Sequence, residues 1–122
     1  MPNPMTRQST IERRRALYEE ALAIIEREYA RDLELDEVAR RVATSRRQLQ
    51  RAFAESGRTS FRSALGEVRM TRARELLADG DTPVRDVARR VGYRQSAQFA
   101  KAFRRRFGAP PSSFRSDRSM VA

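Results

Sequence analysis

The sequence predicts an all-α protein: two helix-turn-helix subdomains joined by a long linker helix, about seven helices in total. Three observations carry the prediction. Apolar residues recur at three- and four-residue spacing from Ile11 to Phe107, the pattern of helices that bury one face. A pair of short helical segments recurs 49 to 50 residues further along the chain. Between the two pairs a helical pattern runs from Phe61 to Asp79 without a proline.

Residues 1–10, MPNPMTRQST, are polar and aperiodic and are expected to form a disordered tail. From Ile11 to about Tyr29, Leu17, Ala21, Ile24, Ile25 and Tyr29 share one face. Glu12, Glu19, Glu20, Glu26 and Glu28 lie mostly off it, so a first helix is predicted there. A second helix near Leu35 uses Leu35, Val38, Ala39 and Val42, with Asp36 and Glu37 in its first turn, where the helix dipole favours negative charge. After Ala43-Thr44, Ser45 is a good N-cap for a third helix that buries Leu49 and Phe53 and stops before Gly57. Two helices joined by so short a turn form a helix-turn-helix, and the first subdomain spans 11–57.

The linker, 58–79, holds a fourth helix that starts after Thr59 or Ser60 and carries Phe61, Leu65, Val68, Met70, Ala73, Leu76 and Leu77. Its ~19 residues span on the order of 28 Å. Gly66 inside it costs roughly 1 kcal/mol, which points to close packing or a slight bend. The second subdomain, 80–115, opens at Asp81-Thr82-Pro83: Thr82 can cap a fifth helix, and Pro83 suits its first position. Val84, Val87, Ala88 and Val91 are the apolar set of that helix. After Gly92-Tyr93-Arg94 a sixth helix places Phe99, Ala102, Phe103 and Phe107 on one face and ends at Gly108. Ala109-Pro110-Pro111 breaks the chain, Ser112 to Arg115 add a last helical turn, and residues 116–122 read as a disordered tail.

Composition narrows the chemistry. The chain has no cysteine and no histidine, which removes disulfides, thiolate metal sites and the commonest general base. No catalytic residue, metal or cofactor is expected. An enzyme would need carboxylate, lysine or hydroxyl chemistry, and the carboxylates sit near helix starts or on solvated faces. No apolar run approaches the roughly 18 residues that span a membrane, and the first ten residues lack a signal core, so a cytoplasmic protein is expected. The net charge is +10, with −3 on residues 1–37 and +13 on residues 38–122, and 25 of the 26 cations are arginine. Such a region favours a polyanion, either nucleic acid or an acidic membrane surface. Genomic base composition and solvated helix faces produce the same bias, so charge alone does not decide.

The repeat adds geometry. Val38-Ala39-Arg40-Arg41-Val42 recurs as Val87-Ala88-Arg89-Arg90-Val91, and Leu49 with Ala52-Phe53 recurs as Phe99 with Ala102-Phe103. The shift is 49 residues in the first helix and 50 in the second, so the second turn is one residue longer. Successive major-groove faces on one side of B-DNA lie about 34 Å apart, close to the length of the linker helix plus turns. One chain, binding double-stranded DNA as a monomer, can then do the work of a helix-turn-helix dimer.

In a helix-turn-helix the start of the second helix meets base edges. In Ser45 to Arg51, Leu49 points to the core and Arg47, Gln50 and Arg51 lie opposite; arginine takes guanine by its fork and glutamine takes adenine. In Gln95 to Lys101, Gln98 and Lys101 can reach bases or phosphates, Ala97 and Ala100 offer methyl contacts, and Ser96 can bond a phosphate. This second unit reads as the weaker in sequence information, acting through the backbone with Arg94, Arg104 and Arg105. Arg41, Arg46, Arg90 and Ser113 are further phosphate candidates at the unit edges, with solvated arginines as the alternative. Arg69 and Asp86 are expected to pair in a structural role.

From about Leu33 to Arg115 the chain closely resembles the AraC/XylS family DNA-binding domain. The residues that carry this are Leu35-Asp36-Glu37-Val38-Ala39, Ser45 with Leu49-Gln50-Arg51-Ala52-Phe53, and Arg69-Met70 with Ala73-Arg74 and Leu76-Leu77. In the second half they are Val87-Ala88 with Val91-Gly92-Tyr93, Phe99 with Lys101-Ala102-Phe103, and Phe107-Gly108 with Pro111 and Phe114-Arg115. The resemblance implies seven helices, a rigid linker helix, insertion into adjacent major grooves and control of transcription, usually activation through RNA polymerase. A nucleoid-associated location and no membrane partner are expected. By position it carries Arg47, Gln50 and Arg51 to the base-contacting places of the first recognition helix, and Ala97, Gln98, Ala100 and Lys101 to those of the second.

Three departures stand out. Arg94-Gln95 occupies the place where the family usually caps the second recognition helix with Ser, Asn or Asp. Gly57-Arg58-Thr59 lacks the usual apolar residue after the glycine. The chain also leaves no room for a separate effector or dimerisation domain, so it resembles the short stand-alone members or the DNA-binding portion of a longer protein. Two rivals remain open. A helical adaptor could use the acidic first helix on the transcription machinery. An RNA binder would show exposed stacking aromatics, whereas the phenylalanines here fall at core spacing.

Overall fold

The computed structural model describes residues 4–115, with side chains described from Gln8 onward. Among these residues there are six α-helices, one 3-10 turn and no strand. They are α1 (Pro4–Glu28), α2 (Leu35–Arg41), α3 (Arg46–Ser56), α4 (Phe61–Asp79), α5 (Val84–Arg90), α6 (Ser96–Phe107) and the 3-10 turn Pro111–Phe114. Contacts group the chain into two packed units: residues through Glu28 with Leu33–Leu65, and Tyr29–Asp32 with the residues from Gly66 onward. The 19-residue α4, expected as a separate linker, is divided between the two at Leu65 and Gly66.

The first helix begins earlier than its apolar pattern. Residues 4–10, expected to be disordered, belong to α1; residues 1–3 and 116–122 of the expected tails lie outside the described residues. No glycine or proline interrupts residues 5–28, and Gln8 donates to Glu12 one turn on at 3.3 Å. Proline is tolerated at a helix start because the missing N–H has no partner there. A polar opening of this kind has no apolar period to announce it.

In the first unit the stripe Leu17, Ala21, Ile24 and Ile25 is buried with Val38 and Ala39 of α2 and Leu49, Ala52 and Phe53 of α3. Leu33, 4% exposed, joins this core from an isolated position that the pattern does not single out. The Phe53 ring meets Tyr18 edge-on at 5.3 Å and Phe61 at 5.9 Å. Arg14 reaches Glu55 at 2.5 Å, tying α1 to α3. Gly57 ends α3 for reasons of space. Its φ is −101°, but a Cβ there would lie 2.4 Å from Cε1 of Tyr18.

The second core gathers Met70, Ala73 and Leu77 of α4, Val87 and Ala88 of α5 with Val91, and Phe99 and Phe103 of α6. Phe103 lies 4.6 Å from Phe107 and 5.2 Å from Phe114, centroid to centroid. Tyr29 packs against this cluster, which corrects its assignment to the α1 stripe: α1 ends one residue before it. α6 ends as expected at Gly108, whose φ of 81° lets its N–H donate back to the Arg104 carbonyl at 2.7 Å. Thr82 is not the cap of α5. Pro83 holds the N-cap position, its carbonyl accepts from Asp86 and Val87 at 2.9 and 3.0 Å, and no side chain caps the helix. Thr82 therefore sits one residue too far upstream, and its carbonyl accepts from Arg115 instead.

Beyond the backbone of its own helix turn and its chain neighbours, Gly66 has no heavy atom within 4 Å of an ideal Cβ, so the expected close packing is absent. Gly66→Ala should therefore raise the unfolding free energy by about 1 kcal/mol in urea titration. Gly57→Ala should lower it, because the Tyr18 ring must move off the fully buried Phe53.

Candidate nucleic-acid interface

Ser45 starts α3. Its hydroxyl accepts from the Gln48 N–H at 3.1 Å, satisfying one of the amide groups that a helix start leaves free. Leu49 and Phe53, one turn apart, are both 0% exposed and set the rotation of the helix. Arg47 and Arg51 then fall about 160° around the helix from Leu49, with Gln50 beside them. All three are exposed, and among the described residues none of their side chains has a hydrogen bond or ion pair.

α6 repeats this plan on Phe99 and Phe103, each 0% exposed. Ala97, Gln98 and Lys101 are exposed on its outer side and Ala100 is half-buried. The turns differ by one residue, as expected: four residues separate α2 from α3 and five separate α5 from α6. Ala43 (φ 57°) in the first turn corresponds to Gly92 (φ 101°) in the second. Gln95 stands at the N-cap of α6 and makes no side-chain cap bond, in line with the departure noted in the sequence.

The phosphate candidates divide into two groups. Arg41 is held by Glu28 through two bonds, at 2.6 and 2.9 Å, with Glu37 at 3.5 Å. Arg46 contacts both oxygens of Asp36, at 3.2 and 3.3 Å. The Ser113 hydroxyl donates to the Pro110 carbonyl at 2.6 Å. Arg90, Arg94, Ser96, Arg104 and Arg105 are exposed, and among the described residues none has a side-chain partner. Exposed ion pairs of the Arg46–Asp36 kind contribute only about 0.2–1 kcal/mol, so a phosphate can displace them.

Arg89 is a candidate the sequence reading left out. It is exposed beside Arg90 and, with Asp86, lines an open surface cavity of about 320 Å³. The repeat carried the signal, since Arg40-Arg41 recurs as Arg89-Arg90. The expected Arg69–Asp86 pair does not form. Arg69 donates to the carbonyls of Tyr29 and Arg31, in the turn that follows α1. Burial pushes its pKa below the ordinary arginine value, opposed by the nearby Tyr93 and Asp32. Among the described residues no cluster of acidic groups suits a metal ion, and no helix is long and apolar enough to cross a membrane.

Two buried-anchor helices, each presenting an exposed polar or basic face after a short turn, define a helix-turn-helix domain of the DNA-binding class. A family model described as a helix-turn-helix domain matches residues 38–117. The transcriptional activator RhaS of Klebsiella pneumoniae is 33% identical over 100 residues, 82% of this chain and 36% of its own length. A transcriptional regulator of Chromobacterium violaceum, described as carrying an AraC-type DNA-binding domain, aligns with a TM-score of 0.79 at 27% identity, over 88% of this chain and 96% of its own. The DNA-binding domain of AdpA, solved in complex with a target DNA, aligns with a TM-score of 0.75 at 27% identity, over 80% of this chain and 87% of its own. The chain belongs to the AraC family of helix-turn-helix DNA-binding domains. It spans 36% or less of the length of the first curated relatives it matches.

The two helix starts make a direct test. Ser45→Ala should destabilise the chain by about 1 kcal/mol, and Gln95→Ser, which supplies the missing cap on extended backbone (φ −120°, ψ 126°), should stabilise it by a similar amount in urea.

Proposed function

We propose that this chain binds double-stranded DNA as a monomer and regulates transcription, with α3 and α6 entering neighbouring major-groove segments. The carrying observation is the outer face of α3. Arg47, Gln50 and Arg51 are exposed and uncommitted, opposite anchors that are wholly buried. The length of α4, 19 residues or about 28 Å, supports the two-segment reading, because successive groove faces lie about 34 Å apart. Family membership supports transcription as the setting. Activation through RNA polymerase belongs to the same proposal, supported by the relative named an activator.

The two units divide the work. Arg47, Gln50 and Arg51 read bases in one element. Ala97, Gln98, Ala100 and Lys101 face the other, where Arg90, Arg94, Ser96, Arg104 and Arg105 supply phosphate contacts. Arg41, held by Glu28, is the phosphate candidate with the strongest competing partner, while Arg46 and Ser113 have weaker claims on them. A second reading, an adaptor that binds protein through α1, draws on exposed Glu12, Glu19, Glu20 and Glu26.

Selection of bound sequences from a random duplex pool tests the proposal. The expected site is asymmetric, with two short elements about one helical turn apart. Alanine at Arg47, Gln50 or Arg51 should relax one element only, by about 1–3 kcal/mol per base preference. Uniform weakening on every duplex would reassign these side chains to phosphate. Arg104→Ala and Arg105→Ala should each weaken binding to all duplexes and reduce the log–log salt slope by roughly 0.9. Binding that is indifferent to salt would favour the adaptor.

A further inference from the structure

α6 begins without a side-chain cap, yet its first turn must be held for its outer face to be presented reproducibly. In the first unit that task falls to Ser45, a local cap. The second unit has no local equivalent at Gln95. What stands behind its turn is Arg69, forty residues from one carbonyl that it holds. Its Nε donates to the Tyr29 carbonyl at 2.8 Å and its Nη2 to the Arg31 carbonyl at 2.9 Å.

The same guanidinium is the floor of the turn. Its Cζ lies 5.7 Å from the centroid of the Tyr93 ring, within cation–π range. A Cβ on Gly92 would fall 2.9 Å from Arg69 Nε, 3.0 Å from its Cζ and 3.0 Å from the Tyr29 carbonyl oxygen. Gly92 is thus required twice, for its φ of 101° and for this approach. Tyr93 passes the constraint on. Its N–H donates to the Ala88 carbonyl at 2.9 Å and its ring meets Phe99, the buried anchor of α6, at 5.6 Å. A continuous set of contacts therefore runs from two backbone carbonyls through Arg69 and Tyr93 to the helix that faces outward.

Resting on the reading of α6 as a DNA-facing helix, we propose that Arg69 is a positioning residue: it clamps the Gly92–Tyr93 turn and orients the uncapped start of α6 on DNA. It does not touch the nucleic acid itself. Lysine cannot replace it, because a single ammonium lacks the planar fork that spans two carbonyls while lying on a ring.

The test uses the whole chain and has two readouts. Hydrogen exchange on the free protein is expected to accelerate by about tenfold in Arg69→Lys at the hydrogen-bonded amides of Phe99 and Ala100, and to stay unchanged at Leu49 and Gln50 of α3. On a duplex carrying both selected elements, Arg69→Lys should need about tenfold more protein to protect the second element from cleavage, with the first unchanged. Adding Gln95→Ser, a local cap, should restore much of that protection. Unchanged exchange at α6 overturns the clamp, and equal acceleration at α3 and α6 overturns it in favour of general loosening. Local acceleration with undiminished second-element protection overturns the positioning role. Failure of the wild-type chain to protect any duplex sinks the underlying DNA reading in the control, before a variant is compared.

Discussion

Each outward-facing helix depends on two large side chains placed one turn apart. Leu49 with Phe53, and Phe99 with Phe103, have no solvent exposure. Burying each contributes about 1.5–3 kcal/mol, so rotating either helix by even one residue costs several kcal/mol. The positions of Arg47 and Arg51, or of Ala97 and Lys101, are consequences of that burial rather than independent choices. The partner helices α2 and α5 have seven residues each, well below the length at which an isolated helix is stable. They persist because Val38-Ala39 and Val87-Ala88 are buried against the same cores. The repeated Val-Ala and aromatic positions are therefore the fold itself, and the variable positions between them are free to carry recognition chemistry.

From this shared plan the two units diverge in ways that bear on function. The first has a capped start, and its edge arginines Arg41 and Arg46 are tied to carboxylates. Its uncommitted cations, Arg47 and Arg51, lie in the first half of α3. The second has an uncapped start braced by Arg69, alanines in place of Arg47 and Gln50 with Lys101 in place of Arg51, and the further cations Arg104 and Arg105 later in α6. On the proposed function, the first unit supplies most of the sequence preference and the second most of the salt-dependent affinity.

Much of this was legible in the sequence. The span of α4, the cap at Ser45, the ends at Gly57 and Gly108, the longer second turn and the paired anchors all follow from periodicity and end signals, which act over three or four residues. What was not legible lacks such a signature. The opening of α1 is polar throughout, so no apolar period marks it. Leu33 is buried from an isolated position, and the half-buried Tyr29 joins a core other than that of the helix it follows. Thr82 looked like a cap because a hydroxyl before a proline is a good start signal, but a one-residue difference in onset removed it. Arg69 was expected to seek a carboxylate; its partners are backbone carbonyls, which every residue possesses and no residue type announces. At the interface, the outward set on α3 could be read from Leu49 and Phe53, whereas the ion pairs that occupy Arg41 and Arg46 could not.

Methylation protection at guanine N7, which lies in the major groove, is the most direct measurement of whether two exposed helix faces read one duplex. The expected result is protection in two clusters centred about one helical turn, ~10 base pairs, apart on one face of the DNA. A complex that forms with no protected guanine in a site containing them, or with protection confined to a single cluster, would contradict it.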